Sequence, residues 1–539
     1  MNPLRILAAA SALLVAGPIA AQEAPSGPPD LIVAISVDQL SADLFAEYRE
    51  QFEGGFARLS DGVVFPSGYQ SHSATETCPG HSTILTGSRP ARTGIIANDW
   101  IDLKTPREDK TVYCAEDESV PGSTSSRYTV SPVHLRVPTL GAWMKAANPQ
   151  SRVVVVGGKD RAVAMLGGDA TDQAWWWNGS EFVTYAGRTA PETVTRLNTS
   201  VAARLAEAQP ALPLPDYCRR YDRAVPIGND RTVGTGRFSR EAGDARAFRA
   251  SPEFDEAVLA LAAGLTAERA LGKGEAPDLL AIGASATDYV GHSYGTHGTE
   301  MCLQLLALDQ TLEKLFTVLD AQNIDYAVVL TADHGGHDLP ERNTTHAMPM
   351  AERVRGLSVP TIGSAIAGEL GLSGQLLWGG AGDVWIDPAL SESDRIRVRD
   401  AAVARIAAHP QVEAVLTREQ LLAGPAPDGP PETWSLVERA RASYDPERSG
   451  DLIVALKPRV TPIPNPGPGY VATHGSFWDY DRRVPILFWR RGMTGFEQPL
   501  SVETVDIAPT LAALLGIDVP VEIDGRCLDL DASDASSCR

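Results

Sequence analysis

The chain has 539 residues, of which 43% are apolar and 21% are charged, the composition of an ordinary globular protein. Its formal net charge of -21 excludes nucleic acid as an expected partner, because the phosphate backbone would be repelled except at a local cationic site. For the same reason, an anionic substrate would require metal ions or a small cluster of Lys and Arg.

The first 21 residues have the layout of a secretory signal peptide. Arg5 supplies a positive charge, residues 6–15 are apolar, and small residues around Ala21 offer a cleavage site. A short buried helix is the weaker alternative, because the apolar run ends in a linker rich in Pro and Gly. We therefore expect residues 1–21 to be removed and the mature protein to be periplasmic or secreted. No later stretch reaches the roughly 18 apolar residues of a spanning helix, so no membrane span is expected after cleavage.

Export would permit disulfide bonds between the cysteines. None of the cysteines forms a Cys-x-x-Cys pair, so a cysteine zinc site is not expected. Cys527 and Cys538 enclose a short C-terminal loop and are predicted to form a local bridge, whereas the spacing leaves the other pairings open. The six cysteines are Cys78, Cys114, Cys218, Cys302, Cys527 and Cys538.

Short, continuous apolar runs recur along the chain, separated by helical segments. The runs are "LIVAISVDQL", "RVVVVGGKDR", "DLLAIGASATD", "YAVVLTADHGG" and "VPILFWRR". This alternation predicts an α/β fold with a mostly parallel central sheet and helices on both faces. Ligands of such sheets bind beyond the carboxyl ends of the strands. The polar residues at those ends are Asp38, Lys159, Arg161, Asp288, Asp333 and His334.

One region departs from this alternation. Residues 375–465 contain strand-like and helix-like segments such as "DVWIDP" and "SDRIRVRDAAVARIAAH", and we interpret them as an inserted α+β subdomain. The predicted catalytic core then consists of residues 22–374 and 466–539. Within its first part, "WWWNGSEFV" predicts a hairpin that turns at Asn178 and Gly179.

A set of carboxylates and imidazoles marks the predicted strand ends. Singly, a strand-end Asp is more often a turn or cap residue, and a lone His is more often a surface or core residue. Together they provide N and O ligands of the kind that suits Zn²⁺. The set consists of Asp38, of Asp288 and His292 in "DYVGH", of Asp333 and His334 in "TADHGGH", and of His474 in "YVATHGS".

These motifs resemble the alkaline phosphatase superfamily, and within it the zinc-dependent, phosphate-irrepressible alkaline phosphatases that use a threonine nucleophile. The resemblance extends from "AISVDQL" through "TETCPGH" to "THGSFWDYDRRVPILFW" and "ETVDIAPTLAALLGI". It implies an alkaline-phosphatase-like fold and two Zn²⁺ per chain. One zinc is implied on Asp288, His292 and His474. The other is implied on Asp38, Asp333 and His334, with Thr77 completing its coordination.

The resemblance implies that Thr77 is the nucleophile and that a phosphothreonine forms during turnover. The following "PGH" favours a helix start, where free backbone N–H groups can meet an anion. Zn²⁺ would activate the threonine hydroxyl, which is a poor nucleophile in water. Cys78 is interpreted as structural and His81 as holding the turn. The related sulfatases require a modified Cys or Ser followed by "x-P-S-R", so a sulfatase is disfavoured.

Three further residues are candidates for binding the phosphoryl oxygens. Asn98 in "GIIANDW" can donate from its amide, and Lys159 and Arg161 can point to one side of an extended segment. A turn residue and a solvated strand end are the alternative interpretations. The related nucleotide pyrophosphatases and phosphodiesterases typically lack this cationic pair, so we expect a phosphate monoesterase.

Two alternatives to a monoesterase stay open. One is a phosphodiesterase of the nucleotide pyrophosphatase type, and the other is an inactive zinc- or phosphate-binding protein on the same fold. Every expected ligand and nucleophile position is filled, which favours an enzyme. We identify no candidates for the additional magnesium site of serine-type alkaline phosphatases.

Overall fold

A computed structural model describes residues 27–228, 230–345, 348–533 and 536–538. The predicted signal peptide lies outside these residues. The strands are β1 (Leu31–Val37), β2 (Val63–Tyr69), β3 (Asp99–Ile101), β4 (Thr111–Tyr113), β5 (Val153–Gly157), β6 (Gln173–Trp177), β7 (Phe182–Val183), β8 (Val225–Gly228), β9 (Arg231–Val233), β10 (Asp278–Ala284), β11 (Tyr326–Thr331), β12 (Glu352–Arg353), β13 (Leu377–Gly379), β14 (Gly382–Ile386), β15 (Val412–Thr417), β16 (Leu452–Leu456), β17 (Val460–Thr461), β18 (Arg483–Arg490), β19 (Phe496–Glu497) and β20 (Val502–Glu503).

The helices lie mostly between the strands of the main sheet. They are α1 (Ala42–Tyr48), α2 (Gly55–Ser60), α3 (Thr77–Ile84), α4 (Pro90–Thr93), α5 (Leu140–Ala147), α6 (Asp160–Gly167), α7 (Glu192–Leu205), α8 (Ala245–Arg249), α9 (Pro252–Glu268), α10 (Ala286–Tyr294), α11 (Thr299–Ala321), α12 (Pro340–Thr345), α13 (Val359–Leu370), α14 (Glu392–Ala407), α15 (Arg418–Ala423), α16 (Leu436–Ser443), α17 (Asp479–Arg482) and α18 (Ile507–Leu515).

The main sheet has ten strands, nine of them in the order β19-β2-β18-β11-β1-β10-β5-β6-β7, with β20 also paired to β2. The five strands from β11 to β6 are parallel to one another, whereas β18 runs antiparallel to both of its neighbours. The prediction of an α/β fold with a mostly parallel sheet is confirmed. The predicted hairpin is also present, because β6 and β7 pair antiparallel across Asn178 and Gly179.

Both faces of the sheet are buried by helices. Along β1, the alternate residues Leu31, Val33 and Ile35 belong to one core together with α9 and α11. Ile32 and Ala34 belong to a second core, on the other face, together with α5, α6 and α18. This explains why the strands are continuous apolar runs, since side chains on both faces leave water.

A separate antiparallel sheet, with the order β13-β14-β16-β15, is inserted between β11 and β18. Helices α13 and α14 pack on it around a core of their own. This unit is the inserted α+β subdomain of the predicted fold class. Helix α13 begins at Val359, ahead of the predicted boundary at residue 375, and it packs with the subdomain.

Three disulfides join all six cysteines in pairs: Cys78–Cys114, Cys218–Cys302 and Cys527–Cys538. The predicted C-terminal bridge is confirmed. In the part of the chain that the structure describes, none of the helices is long and apolar enough to cross a membrane.

Candidate active site

The candidate ligands converge at the carboxyl edge of the parallel strands. Asp38 directly follows β1, and Asp333 follows β11 after one residue. Asp288 lies in the first turn of α10, the helix that follows β10, and His292 lies one turn further along it. An i,i+4 spacing places two side chains on the same face of a helix. Local structure therefore brings all three acids to this edge, and it brings Asp288 and Asp333 there with a neighbouring imidazole.

Two groups of side chains have ligand atoms close enough to share a metal ion. Asp38, Asp333 and His334 form one group, and Asp288, His334 and His474 form the other, with the atoms of each group within 4.8 Å of one another. His292 adjoins the second group, because its Nε2 lies 3.3 Å from Oδ1 of Asp288. The structure thus brings together all six predicted Asp and His ligands.

Backbone carbonyls orient the three imidazoles of the site. Nδ1 of His292, His334 and His474 lies 2.8 Å from the carbonyl oxygens of Ala472, Gly335 and Thr75, respectively. A carbonyl accepts a hydrogen bond, so Nδ1 must carry the proton, and the lone pair lies on Nε2. In each ring, Nε2 faces a carboxylate oxygen of the site at 3.3 to 3.5 Å.

The charge balance of the site also fits metal ions. The site holds three buried carboxylates, those of Asp38, Asp288 and Asp333, and the ammonium of Lys159 contacts two of them, Asp38 and Asp288. Among the described residues, Oδ1 of Asp38 and Oδ1 of Asp288 accept no well-formed hydrogen bond. Buried charges are costly unless they are paired or coordinate a metal. Divalent cations would neutralise the excess negative charge and use the unpaired oxygens.

The local pKa values reflect the same crowding. Burial, together with the neighbouring Asp333 carboxylate, raises the pKa of Asp38 well above its usual range. Burial lowers the pKa of His334 to about 3, so its imidazole is neutral at physiological pH. A bound cation would favour the ionised form of Asp38, and the neutral His334 imidazole has a lone pair to offer such a cation.

Thr77 is the first residue of α3, and its side chain is buried beside the carboxylates. Its Oγ1 lies 3.4 Å from Nζ of Lys159. Helix α3 passes very close to the β11 loop, because a Cβ at Gly80 would lie 1.9 Å from the carbonyl oxygen of Asp333. Nδ1 of His81 lies 2.9 Å from the carbonyl oxygen of Thr77 and 3.0 Å from Oδ2 of Asp333. His81 therefore ties the Thr77 turn to this ligand, in line with its interpretation as a turn-holding residue.

The backbone conformation predicted for Lys159 and Arg161 was wrong. Strand β5 ends at Gly157, and the two residues stand at the start of helix α6, not on one side of an extended segment. Asp160 favours this helix start, since an acid in the first turn interacts well with the helix dipole. Nζ of Lys159 contacts Oδ2 of Asp38 and Oδ2 of Asp288, both at 2.6 Å. Lys159 thus links one carboxylate from each ligand group.

Asn98 lies immediately before β3. Its Oδ1 accepts a hydrogen bond of 2.8 Å from the backbone N–H of Cys78, the residue after Thr77. Burial raises the pKa of Asp99, the residue after Asn98, to about 6, and the positive charge of Arg161 opposes this shift. The structure therefore places Asn98 and Lys159 at the Thr77 end of α3, whereas Arg161 stands in the first turn of α6, two residues after Lys159.

A cavity of about 560 Å³ opens over the site between the core and the inserted subdomain. Its wall on the core side includes Asn98, His292 and His474, and its wall on the subdomain side includes Asp383 and Trp385. The cavity is large enough for a small organic molecule.

Two residues that hold the site together were missed at the sequence level. Glu76 precedes α3, and its Oε2 accepts a hydrogen bond of 2.7 Å from the N–H of Asn98. Asp481 joins the loop that carries His334 to the loop that carries His474. Its carbonyl oxygen accepts a hydrogen bond from Gly335 N–H, and its Oδ2 accepts one from Ser476 N–H. The position of Glu76 next to Thr77 was a usable signal, whereas nothing local marks Asp481.

An α/β sheet with a helix-start threonine beside two overlapping Asp/His groups defines a metal-dependent hydrolase of the alkaline phosphatase type. The chain belongs to the type I phosphodiesterase/nucleotide pyrophosphatase family, which it matches over residues 32–477.

Its relatives within this family include alkaline phosphatases. It is 58% identical to alkaline phosphatase PhoK of Sphingomonas over 95% of this chain and 93% of the relative. It is 50% identical to alkaline phosphatase PhoD of Zymomonas mobilis over 94% and 89% of the two chains. The crystal structure of alkaline phosphatase PafA superposes with a TM-score of 0.81 at 26% identity, over 94% of this chain and 99% of that chain.

Proposed function

We propose that the chain is an alkaline phosphatase that hydrolyses phosphate monoesters through a phosphothreonine on Thr77. Its membership of the family and its identity to two alkaline phosphatases make it a phosphoric monoester hydrolase. The observation that carries the mechanism is the position of Thr77 Oγ1 at a helix start, 3.4 Å from the Lys159 ammonium that bonds to both ligand groups.

The metal cofactor is proposed to be two Zn²⁺ ions. Asp288, His292 and His474 would hold one ion. Asp38, Asp333 and His334 would hold the other, together with Thr77. Imidazole and carboxylate ligands suit zinc, and zinc would supply Lewis-acid stabilisation of the oxygens that attack and leave phosphorus.

Thr77 carries the covalent chemistry. Its Oγ1 forms a bond to phosphorus while the bond from phosphorus to the ester oxygen breaks, and the alcohol leaves. Water then attacks the phosphothreonine, which releases phosphate and returns the hydroxyl to Thr77. The Lys159 ammonium beside Oγ1 favours the deprotonated form of the hydroxyl, and the positive end of the α3 dipole favours an anion at Thr77.

Asn98, Lys159 and Arg161 are proposed to bind the remaining phosphoryl oxygens. The Asn98 amide is a neutral donor, whereas the two cations add charge-assisted hydrogen bonds. A dianionic monoester benefits more from two cations than a monoanionic diester does. Lys159 and Arg161 therefore support a monoesterase over a phosphodiesterase as the principal activity.

Two observations support the phosphodiesterase alternative. The chain matches the type I phosphodiesterase/nucleotide pyrophosphatase family, and the cavity of about 560 Å³ could hold a second ester substituent. The inactive alternative has none, because the nucleophile and all six Asp and His ligands meet at one place. For the location of the protein, the signal-peptide layout of residues 1–21 supports export to the periplasm or the medium.

The proposed function is tested by comparing kcat/KM for an aryl phosphate monoester with that for the matching methyl aryl phosphodiester. The measurement is made on the protein as purified and after treatment with a chelator. We expect a preference for the monoester that disappears together with all activity when metal is removed. A preference for the diester would support the phosphodiesterase alternative instead.

A further inference from the structure

The Cys78–Cys114 disulfide lies directly beside the proposed nucleophile. Cys78 follows Thr77 in the first turn of α3, and Cys114 follows β4, the second strand of the hairpin that β3 begins. Both cysteines are fully buried. The bridge therefore fastens the nucleophile helix to the hairpin that starts at Asn98.

Both half-cystines also hold Asn98 through their backbone N–H groups. Cys78 N–H donates to Oδ1 of Asn98 at 2.8 Å, and Cys114 N–H donates to its carbonyl oxygen at 2.9 Å. A third bond, from Asn98 N–H to Oε2 of Glu76, measures 2.7 Å. Asn98 is thus held on three sides, and two of the three contacts come from the residues that the disulfide joins.

These contacts fix which atoms of the Asn98 amide are available to a ligand. Oδ1 must be the acceptor of the Cys78 N–H, so Nδ2 occupies the other branch of the amide and retains its donors. Asn98 also lines the cavity above the site. The amide is therefore pre-oriented as a donor beside Thr77.

The bridge is embedded in a small apolar cluster that is distinct from the two cores of the main sheet. The cluster contains residues of the hairpin together with Ala164 and Met165 of α6, the helix that begins beside Lys159. A covalent link in such a cluster limits the relative movement of α3 and the hairpin. Movements of about 1 Å at positioning groups are enough to lower catalytic rates a hundredfold.

We propose that the Cys78–Cys114 disulfide is a positioning element of the active site, which holds the Asn98 amide where it can donate to the phosphoryl group. This inference rests on the proposed function, because it assumes a phosphoryl group at Thr77. Neither cysteine touches the substrate, so the bridge acts through Asn98.

The other long-range bridge provides a matched control. Cys218 and Cys302 are also fully buried, and they join the 3-10 helix Asp216–Tyr221 to α11 within a main-sheet core. They are separated by 84 residues, against 36 for Cys78 and Cys114. Chain entropy therefore predicts at least as large a contribution to stability from this bridge. Its removal should lower the melting temperature without a specific effect on turnover.

The test is a double-mutant cycle on the metal-loaded enzyme, with an aryl phosphate monoester as substrate. The variants are Cys78→Ala/Cys114→Ala, Asn98→Ala, the triple combination, and the control Cys218→Ala/Cys302→Ala. We expect the first pair to lower kcat/KM about ten- to a hundredfold, the value of one hydrogen bond to a charged group. In the Asn98→Ala background the same pair should change kcat/KM by less than about threefold, because the residue through which it acts is gone. The control pair should retain the kcat/KM of the unaltered enzyme.

Three results would overturn the inference. The first is a Cys78/Cys114 variant with the kcat/KM of the wild-type enzyme. The second is a triple variant whose loss of kcat/KM equals the product of the losses from the cysteine pair and from Asn98→Ala. Either result would show that the bridge does not act through Asn98. An equal loss in the control pair would show a general effect of lost stability. An unaltered enzyme without phosphatase activity would overturn the proposed function as well, whereas an active enzyme that is indifferent to the bridge overturns this inference alone.

A second measurement needs no variant and covers the case in which the Cys78/Cys114 variant does not fold. The unaltered holoenzyme is treated with increasing amounts of a phosphine reductant, alkylated, and mapped by mass spectrometry. Activity is expected to fall in proportion to the fraction of molecules in which Cys78 and Cys114 are alkylated. Full activity in molecules with that bridge reduced would contradict the proposal.

Discussion

The two sides of the active site are built by different means. On the metal side, each acid follows a buried parallel strand, so the sheet itself brings Asp38, Asp288 and Asp333 together. On the phosphate side, Asn98 is held by Glu76 and by the two half-cystines through contacts between loops. The difference suggests that the metal side depends on the core of the fold, whereas the phosphate side can be altered without disturbing it.

Metal removal tests the metal side, and it is expected to have the largest effect on activity. Chelation should abolish monoesterase activity, because the groups that stabilise the attacking and leaving oxygens are lost. It should also lower the melting temperature, because bound metal stabilises the folded state and three buried carboxylates would face a single ammonium without it. Zinc should restore activity better than magnesium. Full activity in protein shown by elemental analysis to be metal-free would refute the assignment of the ligands.

Replacement of Lys159 and Arg161 tests the phosphate side. Lost charge-assisted hydrogen bonds amount to about 1.5 to 3 kcal/mol each, so Lys159→Ala/Arg161→Ala should lower monoester kcat/KM by about two to four orders of magnitude. Diester kcat/KM should fall much less.

The contacts of Lys159 with Asp38 and Asp288 make a control for metal content necessary. The zinc content of the double variant is therefore measured alongside its kinetics, and it should remain that of the unaltered enzyme. An equal loss of the two activities would mean that these cations serve the ligand groups, and it would favour the phosphodiesterase alternative.

Gly80→Ala tests how closely the two sides are joined. The added Cβ would lie 1.9 Å from the carbonyl oxygen of Asp333, so α3 must move away from the β11 loop. We expect a loss of about 1–3 kcal/mol in the free energy of unfolding and a fall in kcat/KM, since Thr77 moves with the helix. Urea unfolding and steady-state kinetics on the same preparation would measure both. Unchanged stability and kinetics would show that α3 and Asp333 are not held in contact.

Gly368→Ala is the matched control in the subdomain, and it should have the smallest effect. Gly368 is an exposed residue within α13, and a Cβ there meets no atom within 4 Å among the described residues. Alanine should stabilise the helix by up to about 1 kcal/mol and leave kcat/KM unchanged. A loss of activity would mean that α13 influences the site from outside the core.

The sequence predicted that the six Asp and His side chains converge, but it did not predict the contacts that hold Asn98. An apolar run that ends in an acid predicts a strand whose acid lies at the carboxyl edge of the sheet. An Asp and a His four residues apart predict two side chains on the same face of a helix. No local sequence pattern predicts the pairing of Cys78 with Cys114, because this bridge depends on how the hairpin packs against α3.

Lys159 and Arg161 illustrate a second limit. Their spacing is compatible with one side of an extended segment, but the chain turns after β5 and begins α6 at Asp160. Tertiary contacts reinforce that start, since the hydroxyl groups of Tyr113 and Tyr128 each donate to the Asp160 carboxylate at 2.8 Å. Contacts from elsewhere in the chain, which a local pattern does not contain, therefore contribute to the geometry of both cations.

The central claim is that Thr77 becomes phosphorylated during turnover. The most direct measurement is acid quenching of the zinc-loaded enzyme during hydrolysis of a phosphate monoester, followed by peptide mapping. We predict phosphate on Thr77 in the wild-type enzyme and its absence in Thr77→Ala, which should fold normally and lose at least about a ten-thousandfold in kcat. Phosphate on Ser73 or Ser82, or turnover by Thr77→Ala at the wild-type rate, would contradict the account.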